Sequence, residues 1–254
     1  MATVEKQQYN DVAIEYLTLA DVPQTKLEDE LVKLGLGDCA GFRVLDLGGG
    51  SGGHARHALE AGATSIDVVD VSEQMLQVGK DIEAKNGRDV INWYLADISK
   101  PISNDISSLP QEGYDIVMVI WAFDHATSIK ELEGMWQNVT FYLKPGGRFV
   151  GVRVGNPRSK SAQSGDYGAR FDNIKEIADG VRYDCVVLTK PPFSFEATSM
   201  KTSYTGSFEI PQKYGLSDFK YVQAEDTEIV KKDADYWKTF LEDPHFVAFT
   251  ATKL

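Results

Sequence analysis

The stretch that decides the fold reads VLDLGGGSGG and occupies residues 44–53. A short run of strand-like composition passes directly into glycines, and residues 53–60 then have helical spacing. Glycines between a strand and a helix let a ligand approach the backbone closely, because a Cβ atom there would collide with it. The stretch therefore predicts a strand–loop–helix unit with a ligand bound at the loop.

A strand–helix rhythm continues downstream of this loop. Short apolar runs predict strands, and segments of helical spacing separate them. The first five strands are predicted over residues 43–47, 66–71, 90–95, 114–123 and 148–154. Helices are predicted over residues 53–60, from the N-cap Ser72 to Gly87, and along the stripe of Ile129, Leu132, Trp136, Val139 and Leu143, with a turn at 144–147. Such alternation predicts an α/β fold built on a parallel sheet.

The flanking segments complete a single domain over residues 1–254. Residues 1–40 are expected to be helical, with Leu27, Leu31 and Leu34 on one stripe. Weaker patterns predict a loop at 155–168, a strand-like segment at 193–204, a turn at 211–215 and two last strands at 219–224 and 246–252. We find no linker long enough to divide the chain.

Composition narrows the class of partner. The chain has 254 residues, 43% of them hydrophobic, and a formal net charge of -12. An acidic surface repels phosphate backbones, so we expect no nucleic-acid partner. Cys39 and Cys185 share no metal-ligand spacing, and no apolar run approaches the roughly 20 residues that span a bilayer. We therefore expect a cytoplasmic protein without a membrane partner.

Two ligand classes fit the glycine-rich loop. Gly48, Gly50 and Gly53 satisfy the G-x-G-x-x-G dinucleotide fingerprint, and Asp70 follows at the spacing expected for a ribose ligand. Asp46, however, gives the loop an acidic-x-G-x-G-x-G pattern. An acid at this position suits the ammonium group of a ligand, and it has no role in binding a pyrophosphate. The loop also follows a helical preamble, whereas dinucleotide folds commonly open with the fingerprint strand. A tight turn without a ligand is a third interpretation.

Motifs in a fixed order resemble those of class I S-adenosylmethionine (SAM)-dependent methyltransferases over nearly the whole chain. They are VLDLGGGSGG (44–53), DVVDVS (67–72) with Met75 and Leu76, LADI (95–98), YDIV (114–117) and LKPGG (143–147). Within the class, other segments resemble small-molecule methyltransferases that include the toxoflavin-pathway N-methyltransferase. These segments are WAFDHA (121–126), PPFSF (191–195), and Tyr236-Trp237 with DPH (243–245). Gly49 departs from the class, where Cys or Ala is commoner at this position.

The resemblance implies a Rossmann-like methyltransferase sheet of seven strands, the last antiparallel, with N-terminal helices and a cap insertion. SAM would lie across the carboxyl ends of the first strands and leave as S-adenosylhomocysteine. The residues assigned to the cofactor are Tyr9, Tyr16, Asp46, Gly48, Gly50, Asp70, Val71, Met75, Asp97, Ile98 and Trp121.

Each assigned residue has an expected role. Asp70 would bind the ribose hydroxyls, and Asp97 would accept a hydrogen bond from the adenine amino group. Trp121 would lie beside the transferring methyl group, while Tyr9 and Tyr16 would close residues 1–40 over the cofactor as a lid. Ordinary structural roles compete with these: Asp70 as an acid at a helix N-terminus, Asp97 as a turn cap, Trp121 as core, and the tyrosines as surface-helix residues.

Acceptor chemistry is expected beyond strand four and in residues 155–215, the segment predicted to form a substrate cap. His125 is the candidate general base, with Asp124 and Asp166 as weaker alternatives. The residues expected to contact the acceptor are Phe123, His125, Tyr167, Phe193 and Phe195. Core packing is the competing interpretation for these aromatic residues, and no metal ligands are expected.

The leading hypothesis is methyl transfer from SAM to a nitrogen, oxygen or carbon of a small metabolite, with aromatic metabolites among the candidates. One alternative is a nicotinamide-dependent oxidoreductase, which the dinucleotide fingerprint keeps open. Another is a SAM-binding protein of the same fold that transfers no methyl group.

Overall fold

The computed structural model describes residues 9–10 and 15–254, and ten strands lie in this part of the chain. They are β1 (Arg43–Leu47), β2 (Ser65–Asp70), β3 (Ile91–Leu95), β4 (Tyr114–Ile120), β5 (Leu143–Val154), β6 (Ala169–Ile177), β7 (Gly180–Val187), β8 (Phe193–Met200), β9 (Leu216–Val222) and β10 (Phe246–Lys253). Seven of them form the main sheet in the order β3-β2-β1-β4-β5-β10-β9.

Five strands of the main sheet run parallel. β1 pairs in parallel with β2 and β4, β2 with β3, and β4 with β5. β10 is antiparallel to both β5 and β9. The predicted α/β fold, with seven strands and the last one antiparallel, is confirmed. Because the strand order reverses between β1 and β4, the carboxyl ends of these strands border a crevice where ligands bind in open α/β sheets.

Helices cover both faces of the main sheet. The α-helices are α1 (Pro23–Leu36), α2 (Gly53–Glu60), α3 (Glu73–Lys85), α4 (Ile129–Tyr142), α5 (Lys160–Ser164), α6 (Lys201–Tyr204), α7 (Glu209–Lys213), α8 (Glu228–Lys232) and α9 (Ala234–Glu242), and 3-10 turns occur at Glu15–Asp21, Ile102–Asn104, Ala122–His125 and Ala224–Asp226. Successive residues of a strand face opposite sides. Val44 accordingly packs in a core with Leu27 of α1, while Leu45 packs in a second core with Trp136 of α4.

A second, three-stranded antiparallel sheet in the order β6-β7-β8 follows β5 in the chain. It has its own apolar cluster, in which Phe171 and Tyr183 pack with Val154 of β5. The sequence pattern predicted a loop and one strand-like segment in this region. β6 was missed because its exposed half is polar and charged: only Ala169 and Phe171 of the strand are buried.

Several predicted boundaries are corrected. β4 ends at Ile120 rather than at residue 123, because Trp121 adopts a left-handed conformation with φ 64°. The predicted turn at 144–147 lies inside β5, where the register with β4 shifts after the pair Tyr114 and Leu143. The predicted turn at 211–215 overlaps helix α7, and the segment predicted at 193–204 is a strand followed by helix α6.

The stripe predicted for the first long helix is also corrected. Leu27 and Leu31 are buried, but Leu34 is 48% exposed. Val32 and Leu36 are buried instead, so the apolar face of α1 is rotated from the expected one.

Candidate functional site

A cavity of about 460 Å³ lies at the carboxyl ends of β1, β2 and β4. This size falls in the range of small-molecule sites. Its walls come from the glycine-rich loop, the segments after β2, β3 and β4, the helices α1 and α2, and the inner face of the second sheet. Of the assigned cofactor residues, those on the wall are Tyr9, Gly48, Gly50, Asp70, Val71, Met75, Asp97, Ile98 and Trp121.

The glycine-rich loop is shaped by two close approaches. Gly48 has φ 77°, and a Cβ built on it would lie 2.5 Å from Cβ of Ala122. A Cβ on Gly49 would lie 2.6 Å from the carboxylate of Asp46. Glycine at position 49, where the class usually has a small side chain, therefore leaves room in this chain for the Asp46 carboxyl group.

Asp46 lies beneath the loop, away from the cavity wall. Its side chain is 1% exposed, and neither carboxylate oxygen has a hydrogen-bond partner in residues 9–10 and 15–254. Burial raises the pKa of Asp46 to about 7. The prediction that Asp46 contacts the cofactor is corrected, because Asp46 does not line the cavity. Asp46 can influence a ligand only through the loop backbone or through the charge of its own carboxylate.

Asp70 ends β2 and is held by backbone N–H groups. Its carboxylate accepts hydrogen bonds from the amides of Gly50 and Ser72, both at 2.8 Å. Burial raises the pKa of Asp70 from its usual value. Met75 lies one turn into α3, which the Ser72 hydroxyl caps by accepting from the Met75 amide. These contacts fix the acid at the edge of the cavity beside the loop.

Asp97 follows β3 on the same wall. One carboxylate oxygen accepts from the amide and hydroxyl of Ser99, and the other accepts from Lys100. Burial alone would raise the pKa of Asp97, but the hydrogen bonds from Lys100 and Ser99 lower it. Asp97 is therefore an ionised acceptor, with Ile98 beside it on the wall.

The opposite end of the cavity is aromatic. The hydroxyl of Tyr9 lies 2.6 Å from Nε2 of His125, and both rings lie near Phe195 of β8. Burial lowers the pKa of His125 to about 4, so the imidazole is neutral at pH 7. Trp121 borders the same region, and the side chain of Tyr16 lies outside the described part of the chain.

Three predicted acceptor residues are corrected. Phe123 is buried in the core, where it stacks on Trp136 at a centroid distance of 4.3 Å. Tyr167 is buried against Trp237 with nearly parallel rings 4.8 Å apart. Phe193 packs at the edge of the second sheet's cluster and does not line the cavity. Core packing, the competing interpretation for these aromatic residues, therefore applies to Phe123 and Tyr167.

The second sheet contributes cavity residues that the sequence pattern missed. They are Ala169, Tyr183, Cys185, Val187 and Ala197, and they line the cavity beside Phe171, which the aromatic composition of this segment had indicated. Asp124 ties this sheet to the main one: its carboxylate accepts from the Ser199 hydroxyl at 2.6 Å and from the Val154 amide at 2.9 Å. Burial raises the pKa of Asp124 to about 7.

A charged cluster on α1 and α2 was also missed. Glu28, Asp29, His54, Arg56 and His57 all line the cavity near the start of α2. Burial would lower the pKa of His54, but the nearby carboxylates of Glu28, Asp46 and Asp29 raise it. The HxxH spacing of His54 and His57 could have indicated this cluster, because residues three apart lie on one face of a helix.

Residues 44–147 match the protein family described as "Methyltransferase domain". The matched segment covers β1 to the start of β5, which includes the glycine-rich loop, Asp70, Asp97 and His125. Residues 44–147 are thus similar to a methyltransferase domain, and the strand order of the main sheet agrees with the Rossmann-like sheet that the resemblance implied.

Individual proteins are similar to parts or all of the chain. The demethylmenaquinone methyltransferase of Tropheryma whipplei (strain Twist) is 29% identical over 123 residues, which are 48% of this chain and 46% of that protein. The chain thus aligns with less than half the length of this curated relative.

Two solved structures share the fold over nearly their whole length. The CcbJ methyltransferase from Streptomyces caelestis has a TM-score of 0.64 and 18% identity, covering 100% of this chain and 99% of its own. The [4+2]-cyclase SpnF has a TM-score of 0.59 and 15% identity, covering 98% and 95%. Within the described residues, no helix combines the length and apolar character that crossing a membrane requires.

Proposed function

We propose that this chain transfers a methyl group from SAM to a nitrogen, oxygen or carbon atom of a small, flat or apolar acceptor. One observation carries the proposal. A single cavity joins a wall of glycine backbone and carboxylates, typical of a nucleoside ligand, to an aromatic end that carries the neutral imidazole of His125.

The cofactor half of the cavity fits the adenosyl part of SAM. Asp70 is fixed by two backbone amides, so its remaining acceptor capacity is preorganised for ribose hydroxyls. Ionised Asp97 is placed to accept from an adenine amino group, with Met75 and Ile98 on the same wall. Gly48 and Gly50 line the cavity, so the loop backbone can face the methionine part.

When bound, SAM supplies a methyl group on a positively charged sulfur. A lone pair of the acceptor forms the new bond to the methyl carbon while the carbon–sulfur bond breaks, and its electron pair stays on sulfur. The protein's part is to hold the acceptor in line and to exclude water, which can supply several kcal/mol of the barrier reduction, on the order of 7–11 kcal/mol in well-oriented systems.

His125 is proposed to orient an acceptor N–H or O–H and to receive its proton. A pKa of about 4 keeps the ring neutral at pH 7 but makes it a weak base, so it receives the proton only as methyl transfer makes the acceptor N–H or O–H strongly acidic; the Tyr9 hydroxyl, 2.6 Å from Nε2, fixes the ring's orientation. Tyr9 therefore links the start of the chain to the reacting end of the cavity. Asn10 adds a second link, because its side-chain oxygen accepts from the Ser72 hydroxyl at 2.7 Å. These contacts support residues 1–40 as a lid.

The second sheet is proposed as the acceptor cap. Its wall is aromatic and aliphatic, with Phe171, Tyr183 and Phe195 facing the cavity, and such walls suit flat or apolar molecules. The resemblance of residues 121–126 and 191–195 to small-molecule methyltransferases, including the toxoflavin-pathway enzyme, supports the same class of acceptor.

Binding and product analysis together test the proposal. Purified protein should bind SAM and S-adenosylhomocysteine with micromolar or tighter affinity, about 8 kcal/mol, and should not bind NAD at millimolar concentration. With methyl-labelled SAM and a panel of aromatic metabolites, the label should appear in an acceptor. Binding of NAD in preference to SAM would favour the oxidoreductase. Tight SAM binding without transfer to any acceptor would favour a role other than methyl transfer. Such a role is the competing hypothesis because the chain shares its fold with a cyclase.

A further inference from the structure

A group of possible metal ligands lies at the junction of α1 and α2. Asp29, His54 and His57 each offer one ligand atom, and these atoms all lie within 4.8 Å of one another. His54 and His57 occupy one face at the start of α2, and Asp29 faces them from α1. The three side chains are part-buried, and all three residues line the cavity.

The spacing of the ligand atoms is close to that of a tetrahedral site. Nε2 of His57 lies 2.9 Å from Oδ1 of Asp29, and Nδ1 of His54 lies 3.9 Å from the same oxygen. Two ligands about 2.0–2.1 Å from a zinc ion lie roughly 3.3–3.4 Å apart in tetrahedral geometry. The observed distances fall on either side of that value, so only small side-chain movements are needed.

Neighbouring glutamates orient the two imidazoles. Nε2 of His54 lies 2.9 Å from Oε1 of Glu28, whose side chain is 7% exposed. When His54 Nε2–H donates to Glu28, Nδ1 of the neutral ring carries the lone pair and faces Asp29. That Nδ1 atom is buried and has no hydrogen-bond partner among the residues that the structure describes. Carboxylate–histidine–metal arrangements have this form, in which the outer carboxylate fixes the ring and its tautomer.

His57 has the complementary arrangement. Its Nε2 faces Asp29, while its buried Nδ1 has no hydrogen-bond partner within the described part of the chain and lies 3.5 Å from a carboxylate oxygen of Glu60. Glu60 can therefore receive the outer N–H of His57 as Glu28 receives that of His54.

We propose that Asp29, His54 and His57 bind a divalent transition-metal ion of the zinc class. Two imidazoles and one carboxylate suit zinc and its neighbours rather than magnesium or calcium, which prefer oxygen ligands. Three protein ligands would leave a fourth position open, and all three residues line the cavity. A water molecule or a ligand carboxylate is the group that would complete the site. The proposal goes beyond methyl transfer and stands on different residues from those of the acceptor end.

Metal binding by the full chain tests the proposal directly. After chelator treatment and dialysis, calorimetry at pH 7.5 without SAM should show one Zn²⁺ per chain, and millimolar Mg²⁺ should not compete. Co²⁺ should give the intense visible bands of a tetrahedral site. His57→Ala and His54→Ala should weaken Zn²⁺ binding at least about 100-fold.

Two variants keep the test independent of folding. His125→Ala is the matched control, since it removes another of the four histidines and should leave Zn²⁺ affinity unchanged. Glu28→Gln preserves the size of the side chain and should weaken Zn²⁺ binding about 10- to 100-fold without removing a ligand. Absence of 1:1 binding tighter than millimolar, or equal binding by His57→Ala and wild type, would show that these residues form only an ion-pair cluster. SAM binding is measured separately, so failure here leaves the proposed function intact.

Discussion

The two walls of the cavity are built in different ways. The wall from the main sheet is made of backbone and acids: Gly48 presents bare main chain, and Asp70 is fixed by two amides. The wall from the second sheet is made of mostly buried aromatic and aliphatic side chains, on strands whose other residues are largely polar. The first wall is rigid and specific for hydrogen-bonding groups, whereas the second selects mainly by shape. We infer that the first wall determines which cofactor binds and that the second wall determines which acceptor binds.

The largest effect is expected at Gly48. Gly48→Ala places a Cβ 2.5 Å from Cβ of Ala122 at φ 77°, which costs about 1–2 kcal/mol in backbone conformation before the collision is counted. Calorimetry should detect no S-adenosylhomocysteine binding, and thermal melts should show lower stability. Gly53→Ala is the control, because a Cβ there meets nothing within 4 Å. Equal loss in both variants would mean that the loop does not depend on this close approach.

Asp46 should make the cofactor wall sensitive to pH. Its pKa rises from 3.8 to about 7 on folding, so the protonated acid is favoured in the folded state. Its contribution to stability is therefore present below about pH 4 and is lost as pH rises toward 7, with an upper size of about 4 kcal/mol. Asp46→Asn should become progressively more stable relative to wild type between pH 4.5 and 8 in urea unfolding. A difference that stays flat with pH would show that Asp46 is ionised throughout.

Removal of the hydrogen bond from Ser199 to Asp124, which joins the two walls, is expected to have an intermediate effect. Ser199→Ala leaves a buried oxygen of Asp124 without its hydroxyl donor, at a cost of about 1–3 kcal/mol. Unfolding free energy should fall by that amount, and the KM for the acceptor should rise more than the Kd for S-adenosylhomocysteine. Exposed Ser194→Ala on the same strand should change neither quantity. A larger loss of cofactor affinity than of acceptor affinity would argue against separate roles for the walls.

The smallest effect is expected for Phe195→Ala, and it distinguishes the roles of the two walls most clearly. Phe195→Ala removes a ring from the cavity and should raise the acceptor KM about 10-fold, roughly 1.4 kcal/mol, while changing cofactor affinity less than about twofold. Phe193→Ala, two residues earlier on β8 and outside the cavity, should leave the KM unchanged. If both variants behave alike, the cap does not select the acceptor through Phe195.

The two walls also differ in how far the sequence predicts them. Asp70, Asp97 and the glycines are found from spacing, because they sit at ends of strands that the apolar pattern marks clearly. In the second sheet, β6 escapes that pattern because only Ala169 and Phe171 are buried, whereas β7 has alternating burial and was overlooked. Sequence also cannot separate Phe123 from Phe195: both are aromatic residues near the site, and only packing places one in the core and the other on the wall. Glu28 and Asp29 meet His54 only through the docking of α1 on α2.

Titration of S-adenosylhomocysteine into wild type and Asp70→Ala tests the central claim most directly. The claim is that Asp70, held by the Gly50 and Ser72 amides, binds the ribose of the cofactor. Asp81→Ala, at an exposed acid of α3, is the control. Wild type and control should bind with micromolar or tighter affinity, and Asp70→Ala should bind more weakly by roughly 1–3 kcal/mol, about 5- to 150-fold. Equal affinity of all three proteins would contradict the claim.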